Sequence, residues 1–194
     1  MSAEHPRIYT VGHSTRAFDD FVRLLRAHEV EAVADVRLIP GSRKFPHFGS
    51  AFLADNLPKH HIEYLPFKQL GGRRKALADS PNDGWRNASF RGYADFMQTD
   101  DFRVGLEDLM AAASQRRVTT MCAEAVPWRC HRSLISDALL VRGWEVLDIM
   151  SDNKATPHKL KKFARVDGTR IVYPKPAEEA MPLFAADAPR GRDA

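Results

Sequence analysis

Val118-Thr119-Thr120-Met121-Cys122 runs into Ala123-Glu124-Ala125-Val126-Pro127-Trp128-Arg129-Cys130-His131-Arg132. Leu134, Ile135, Ala138 and Leu139 follow at helical spacing, and after Gly143 comes Trp144-Glu145-Val146-Leu147-Asp148-Ile149. A β-branched run, a loop, one apolar helical stripe and a second apolar run predict a strand–helix–strand unit, and hence parallel strands.

The alternation continues upstream. Arg7-Ile8-Tyr9-Thr10-Val11-Gly12 reads as a first strand. Thr15 is the expected cap of a helix whose Phe18, Phe21, Val22 and Leu25 fall at i, i+3, i+4 and i+7. Ala32-Val33-Ala34 with Val36 predicts a second strand, residues 51–59 a short helix, and Ile62-Glu63-Tyr64-Leu65 a third strand closed by Pro66. Residues 69–89 are polar and unpatterned, which marks a functional or mobile loop. Asp100 then caps a helix bearing Phe102, Leu106, Leu109, Met110 and Ala113. The expected fold is α/β: residues 1–150 form one domain with a mostly parallel sheet flanked by helices. Residues 151–176 add a β-hairpin turning at Asp167-Gly168, and residues 177–194, rich in Pro, Ala and charge, are expected to be disordered.

With 194 residues, 44% of them hydrophobic and 28% charged, the chain suits one globular core. No apolar run reaches the ~20 residues of a membrane span. Two cysteines exclude a disulfide framework, and residues 1–6 lack an apolar leader, so a cytoplasmic address is expected. The net charge of +4 is unevenly spread. Residues 37–75 carry eight basic and two acidic side chains, and residues 151–194 carry nine and six. A basic segment on an otherwise acidic body is a footprint for phosphates, or simply a solvated surface.

Ligands of open parallel sheets sit beyond the carboxyl ends of the strands. Three strand exits carry the reactive side chains: Gly12-His13-Ser14, Asp35 with Arg37 and Arg43, and Cys122 with Glu124, His131 and Arg132. If the sheet is parallel, all three meet on one rim. His13 and Ser14 fit a ligand contact or a helix cap. Asp35 and Arg37 fit a site or a local ion pair. Cys122 fits an inert core thiol, or a thiol activated by the following helix N-terminus. A zinc site from Cys122, Cys130, His131 and His13 matches no familiar spacing. No metal or cofactor is expected.

Five ordered motifs carry a resemblance: Val11-Gly12-His13-Ser14; Asp35-Val36-Arg37 with Pro40, Ser42 and Arg43; Gly71-Gly72; Tyr93-Ala94 with Phe96-Met97; and Met121-Cys122-Ala123-Glu124 with Pro127 and Cys130-His131-Arg132. Over roughly residues 8–150 the chain resembles the bacterial and archaeal "domain of unknown function 488" family. The resemblance implies a compact α/β domain and little about activity. More loosely, the strand ending in Asp-Val-Arg and the later strand–Cys–loop–helix are similar to rhodanese and Cys-phosphatase folds. Those enzymes put Arg at the sixth position after Cys, where this chain has Trp128.

The expectation is an enzyme acting on a phosphate-bearing substrate, a nucleotide or nucleic acid, by hydrolytic or N-glycosidic chemistry. Asp35, Glu124, Cys122 and His131 are the candidate catalytic residues. Gly12, His13, Ser14, Arg37, Arg43 and Arg132 are the candidate substrate contacts, the guanidinium forks matching phosphate oxygens. The alternatives are a rhodanese-like or Cys-phosphatase-like enzyme using Cys122, and a non-catalytic nucleic-acid-binding module. In the tail, Leu183-Phe184 weakly resembles the peptides by which repair proteins dock on the sliding clamp.

Overall fold

β1 (Arg7–Gly12), β2 (Ala32–Asp35), β3 (Glu63–Pro66), β4 (Val118–Cys122), β5 (Glu145–Ser151) and β6 (Lys154–Pro157) form the central sheet of the computed structural model, which describes residues 6–41 and 44–176. The order is β3-β2-β4-β1-β5-β6. The first five are mutually parallel, as the alternation predicts; β6 is an antiparallel edge paired with β5. No helix among the described residues is long and apolar enough to cross a membrane.

Side chains alternate across the sheet, and each face buries its own core. Tyr9, Val11, Val33 and Met121 pack under α1 (Phe18–Ala27) and α2 (Ser50–Asn56), against Phe21, Leu25 and Leu53. Ile8, Ala32, Ala34, Val118 and Val146 pack on the other side, under α3 (Ala88–Phe96), α4 (Asp100–Gln115) and α5 (Arg132–Leu140). A parallel sheet needs cover on both faces, and here it has it.

Several local expectations are corrected. The residue before α1 is Ala17, without a side-chain cap, so Thr15 does not cap it. Thr99 rather than Asp100 caps α4, its hydroxyl accepting from Phe102 N; Asp100 lies in the first turn, where its charge suits the positive helix end. The end of the polar stretch and the residues beyond it form α3, capped by Asn87, whose side chain accepts from Ser89 N. β6 is a further element without a sequence signal.

The hairpin forms as read, β7 (Arg165–Asp167) pairing with β8 (Arg170–Val172) around Gly168 at φ +58°. Its exit is anchored in the core, because Ile171 and Tyr173 are buried. Tyr173 donates to Asp137 Oδ2 at 2.8 Å, and His158 Nε2 donates to Asp137 Oδ1 at 2.7 Å, with Asp148 Oδ2 3.4 Å from its other nitrogen. Burial alone would push the His158 imidazole down. Its hydrogen bonds to Asp137 and Asp148 and their charges more than offset this and lift it to about 9. Residues 177–194 lie outside the described residues, and with them the expectations of a disordered tail and of docking through Leu183 and Phe184.

Candidate functional site

β1, β2 and β4 end side by side. The register pairs Gly12 with Cys122 and Asp35 with Met121. The zipper continues past the strands: His13 N donates to Cys122 O (2.9 Å), Ser14 N to Ala123 O (3.1 Å) and Val36 N to Met121 O (3.1 Å). From β1 the chain passes through α1, on one face, to β2; from β4 it passes through α5, on the other face, to β5. Neighbouring strands whose connections depart in opposite directions leave a crevice between their exits, the usual ligand position in such sheets. Gly12 permits this closeness, since a Cβ there would overlap the Glu124 carbonyl.

The crevice is a cleft of about 220 Å³ whose walls include Arg37, Cys122, Glu124, Cys130 and His131. Leu38 and Ile39, 39% and 63% exposed, give it an apolar lip, and Arg73 is a cation on its wall. A larger concavity, about 1030 Å³, lies at the opposite end of the sheet among residues such as Arg7, Glu29, Arg117 and Glu145. Those side chains pair with one another, Arg7 with Glu145 and Arg117 with Glu29, and none is a nucleophile.

At the centre of the cleft two cysteines share one arginine. Arg132 is 1% exposed, and its Nη1 donates to Cys122 Sγ at 2.8 Å and to Glu124 O at 2.7 Å. Its Nη2 donates to Ala125 O, and its backbone N–H approaches Cys130 Sγ at 3.5 Å. Glu124 N also donates to Cys122 Sγ, at 3.3 Å. Burial pushes the Cys122 thiol up, but the hydrogen bond from Cys130, the Arg132 charge and the Glu124 N–H outweigh it and hold it down at about 7. Burial and the neighbouring Cys122 push Cys130 well up, so it stays a thiol. Burial also lowers His131 to about 4. This neutral ring donates from Nε2 to Val36 O (2.9 Å), which leaves Nδ1 as an acceptor 3.6 Å from Cys130 Sγ.

Asp35 and Arg37 form a closed unit. Asp35 Oδ1 accepts from Arg37 N and Nε (3.1 and 2.7 Å), and Oδ2 from Arg37 Nη2 and Tyr64 Oη (2.6 and 2.8 Å). Four donors saturate a carboxylate that is 1% exposed and absent from the cleft wall, so it orients Arg37 and has no lone pair left for acid/base work. Arg37 Nη1 donates in turn to His13 Nε2 (3.2 Å), while His13 Nδ1 donates to Ser14 O (2.9 Å) and its ring stacks on Phe48 at 4.1 Å. His13 is lowered to about 4, chiefly by burial and then by Arg37. Neither His13 nor Ser14 caps α1, and Ser14 takes a left-handed turn at φ +53°.

Of the ten residues read from the sequence, Arg37, Cys122, Glu124 and His131 line the cleft, and Gly12, Arg132, His13 and Asp35 build it from behind. Ser14 belongs to the adjoining turn, and Arg43 lies outside the described residues. The Glu124 carboxylate has no hydrogen-bond partner among the described residues and is exposed at the mouth. Arg73, Leu38 and Ile39 were not singled out for the cleft, nor was Cys130 as a thiol partner of Cys122. Cys130 had a signal, since it immediately precedes the N-terminus of α5, where thiols and anions are favoured. Among the described residues, no group of three or more His, Cys, Asp and Glu is placed to hold a metal ion, so the zinc quartet is not assembled.

No curated protein and no solved structure matches the chain. One family model matches residues 17–139, over half of the chain, and spans α1, the Asp35–Arg37 pair, Gly72, the Cys122 loop and most of α5. The chain therefore belongs to the family described as Domain of unknown function DUF488.

Proposed function

We propose that this chain is an enzyme in which the Cys122 thiolate is the nucleophile toward a phosphate-bearing substrate, in the manner of a Cys-phosphatase. One observation carries the reading: the fully buried Arg132 guanidinium has no carboxylate partner among the described residues, and its Nη1 is 2.8 Å from Cys122 Sγ. An uncompensated buried charge costs several kcal/mol, and a thiolate at Cys122 removes that cost. The paired-carboxylate chemistry expected from the sequence is disfavoured, because Asp35 is saturated by Arg37 and Tyr64.

The chemistry balances without a cofactor. Cys122 sulfur attacks phosphorus, an S–P bond forms, and the ester P–O bond breaks. The leaving oxygen takes a proton from Glu124, whose side chain stands at the cleft mouth. Water, deprotonated by the same carboxylate, then attacks phosphorus; the S–P bond breaks, inorganic phosphate leaves and the thiolate returns. Arg73 attracts the phosphate dianion, and the Glu124 backbone N–H keeps sulfur ionised. The arginine works differently from that of the short Cys-phosphatase loop: Arg132, ten residues after Cys122, holds the sulfur itself. A cytoplasmic, reducing address suits a mechanism that needs free thiols.

Cys130, a second thiol in the same cleft, favours one other reading, sulfur transfer through a Cys122 persulfide. Turnover of an aryl phosphate and of thiosulfate by wild type and Cys122→Ser separates them. Aryl phosphate hydrolysis that disappears in Cys122→Ser is the expected result. Thiosulfate turnover alone moves the assignment to the sulfur reading. Alkylation of Cys122 by iodoacetamide at neutral pH no faster than that of a free thiol overturns both and leaves a nucleic-acid-binding module.

A further inference from the structure

A second concavity, about 630 Å³, opens beside the Cys122 cleft, and Glu124 belongs to the walls of both. Its walls are aromatic. Trp85 lies against Phe90, ring centroids 4.7 Å apart and planes 25° apart, and meets Phe163 edge-on at 5.1 Å. Trp128 stands on the turn Pro127–Arg129, within the loop that leaves Cys122. It is 56% exposed and makes no ring contact with any described residue. Trp128 and the half-buried Trp85, Phe90 and Phe163 line one concavity, and contiguous apolar surface of this kind marks binding sites.

Apart from the Glu124 carboxylate at the shared edge and the Asn87 amide, the polar side chains of the same walls are donors. The guanidiniums of Arg86 and Arg129 have no side-chain partner among the described residues, and Trp85 Nε1 is buried without an acceptor. A planar ring seated here therefore needs acceptors on its edge. Nucleobases have them, guanine at N7 and O6 for instance, and a phenyl ring does not. Because Glu124 is common to both walls, a ligand that spans them would place a ring in this concavity, a bridging oxygen near Glu124 and a phosphate at Cys122. We infer that this concavity is the base subsite of the Cys122 centre, which takes the nucleobase of a nucleoside monophosphate whose phosphate occupies the Cys122 cleft. The inference rests on the function proposed above, and Trp128 is its specificity-determining residue.

The test uses the full chain and Trp128→Ala, an exposed substitution that leaves the core intact. Two readouts are taken with GMP, phenyl phosphate and inorganic phosphate: protection of Cys122 from iodoacetamide, and quenching of indole fluorescence. GMP is expected to protect at concentrations about tenfold lower than phenyl phosphate, a factor within the range of stacking one base on an aromatic side chain. Trp128→Ala should erase that advantage, move the GMP quench, then carried by Trp85, to about tenfold higher concentration, and leave protection by inorganic phosphate unchanged. Equal protection by GMP and phenyl phosphate, or a GMP advantage that survives Trp128→Ala, overturns the subsite. The proposed nucleophile is judged separately, by the rate of Cys122 alkylation without ligand. A slow rate together with a Trp128-dependent GMP quench would refute the nucleophile and sustain the base subsite.

Discussion

Replacing His158 with Gln removes the imidazolium held between Asp137 and Asp148, at 2.7 and 3.4 Å. The folded protein lifts this group from 6.5 to about 9. At about 1.36 kcal/mol per pKa unit, the charged ring contributes about 3 kcal/mol of stability. Because the folded value lies above the unfolded one, that contribution is complete below pH 6.5 and is lost as the pH rises through about 9. Urea denaturation of wild type and His158→Gln, in steps from pH 6 to 9.5, isolates it. Cys122 shifts the other way, down from 9 to about 7, but it does so in both chains and cancels in the difference. The wild-type advantage is expected to shrink by about 3 kcal/mol across the range, with equal denaturant slopes. An advantage that stays constant with pH would refute the buried ion triad.

Asp35→Asn strips the counter-charge from buried Arg37 and is expected to cost about 3–5 kcal/mol in chemical denaturation; a loss under 1 kcal/mol would show that the pair is not the anchor of the β2 exit. Gly12→Ala forces the Glu124 carbonyl away from β1 and from Arg132, so the melting temperature should fall and Cys122 alkylation at pH 7 should slow; an unchanged alkylation rate would contradict the coupling of the two loops. Oligonucleotide binding, measured by anisotropy at several salt concentrations, is expected to weaken steeply with salt if the basic segment 37–75 meets phosphates. Binding that is indifferent to salt would remove that role from the segment.

The parallel core was legible because its strands are short apolar or β-branched runs separated by helical periods, as Val118–Cys122 and Arg132–Leu140 illustrate. That pattern also sufficed to bring the β1, β2 and β4 exits together, since parallel strands end on one rim. β6 escaped because a four-residue edge strand carrying Lys154 and Pro157 has no alternation to read. α3 escaped because Arg91 and Gly92 interrupt its apolar spacing; Gly92 is there because a Cβ would strike the backbone of residues 74–76. Within the site, residue type alone left Asp35 as either base or ion-pair partner, and only the four donors around its oxygens decide. The grip of Arg132 on Cys122 was illegible for a different reason. It depends on how a nine-residue loop folds back, and loop length in sequence says nothing of where a guanidinium lands.

The central claim is that Cys122 is a thiolate held by a buried arginine, and its titration tests that most directly. Ultraviolet thiolate absorbance of the wild-type chain is followed against pH, with Cys122→Ser subtracted to remove Cys130. A midpoint near 7, with the iodoacetamide rate rising through the same pH, is the expected result. A midpoint at the ordinary thiol value near 9 or above would make Cys122 an inert core thiol and contradict the account.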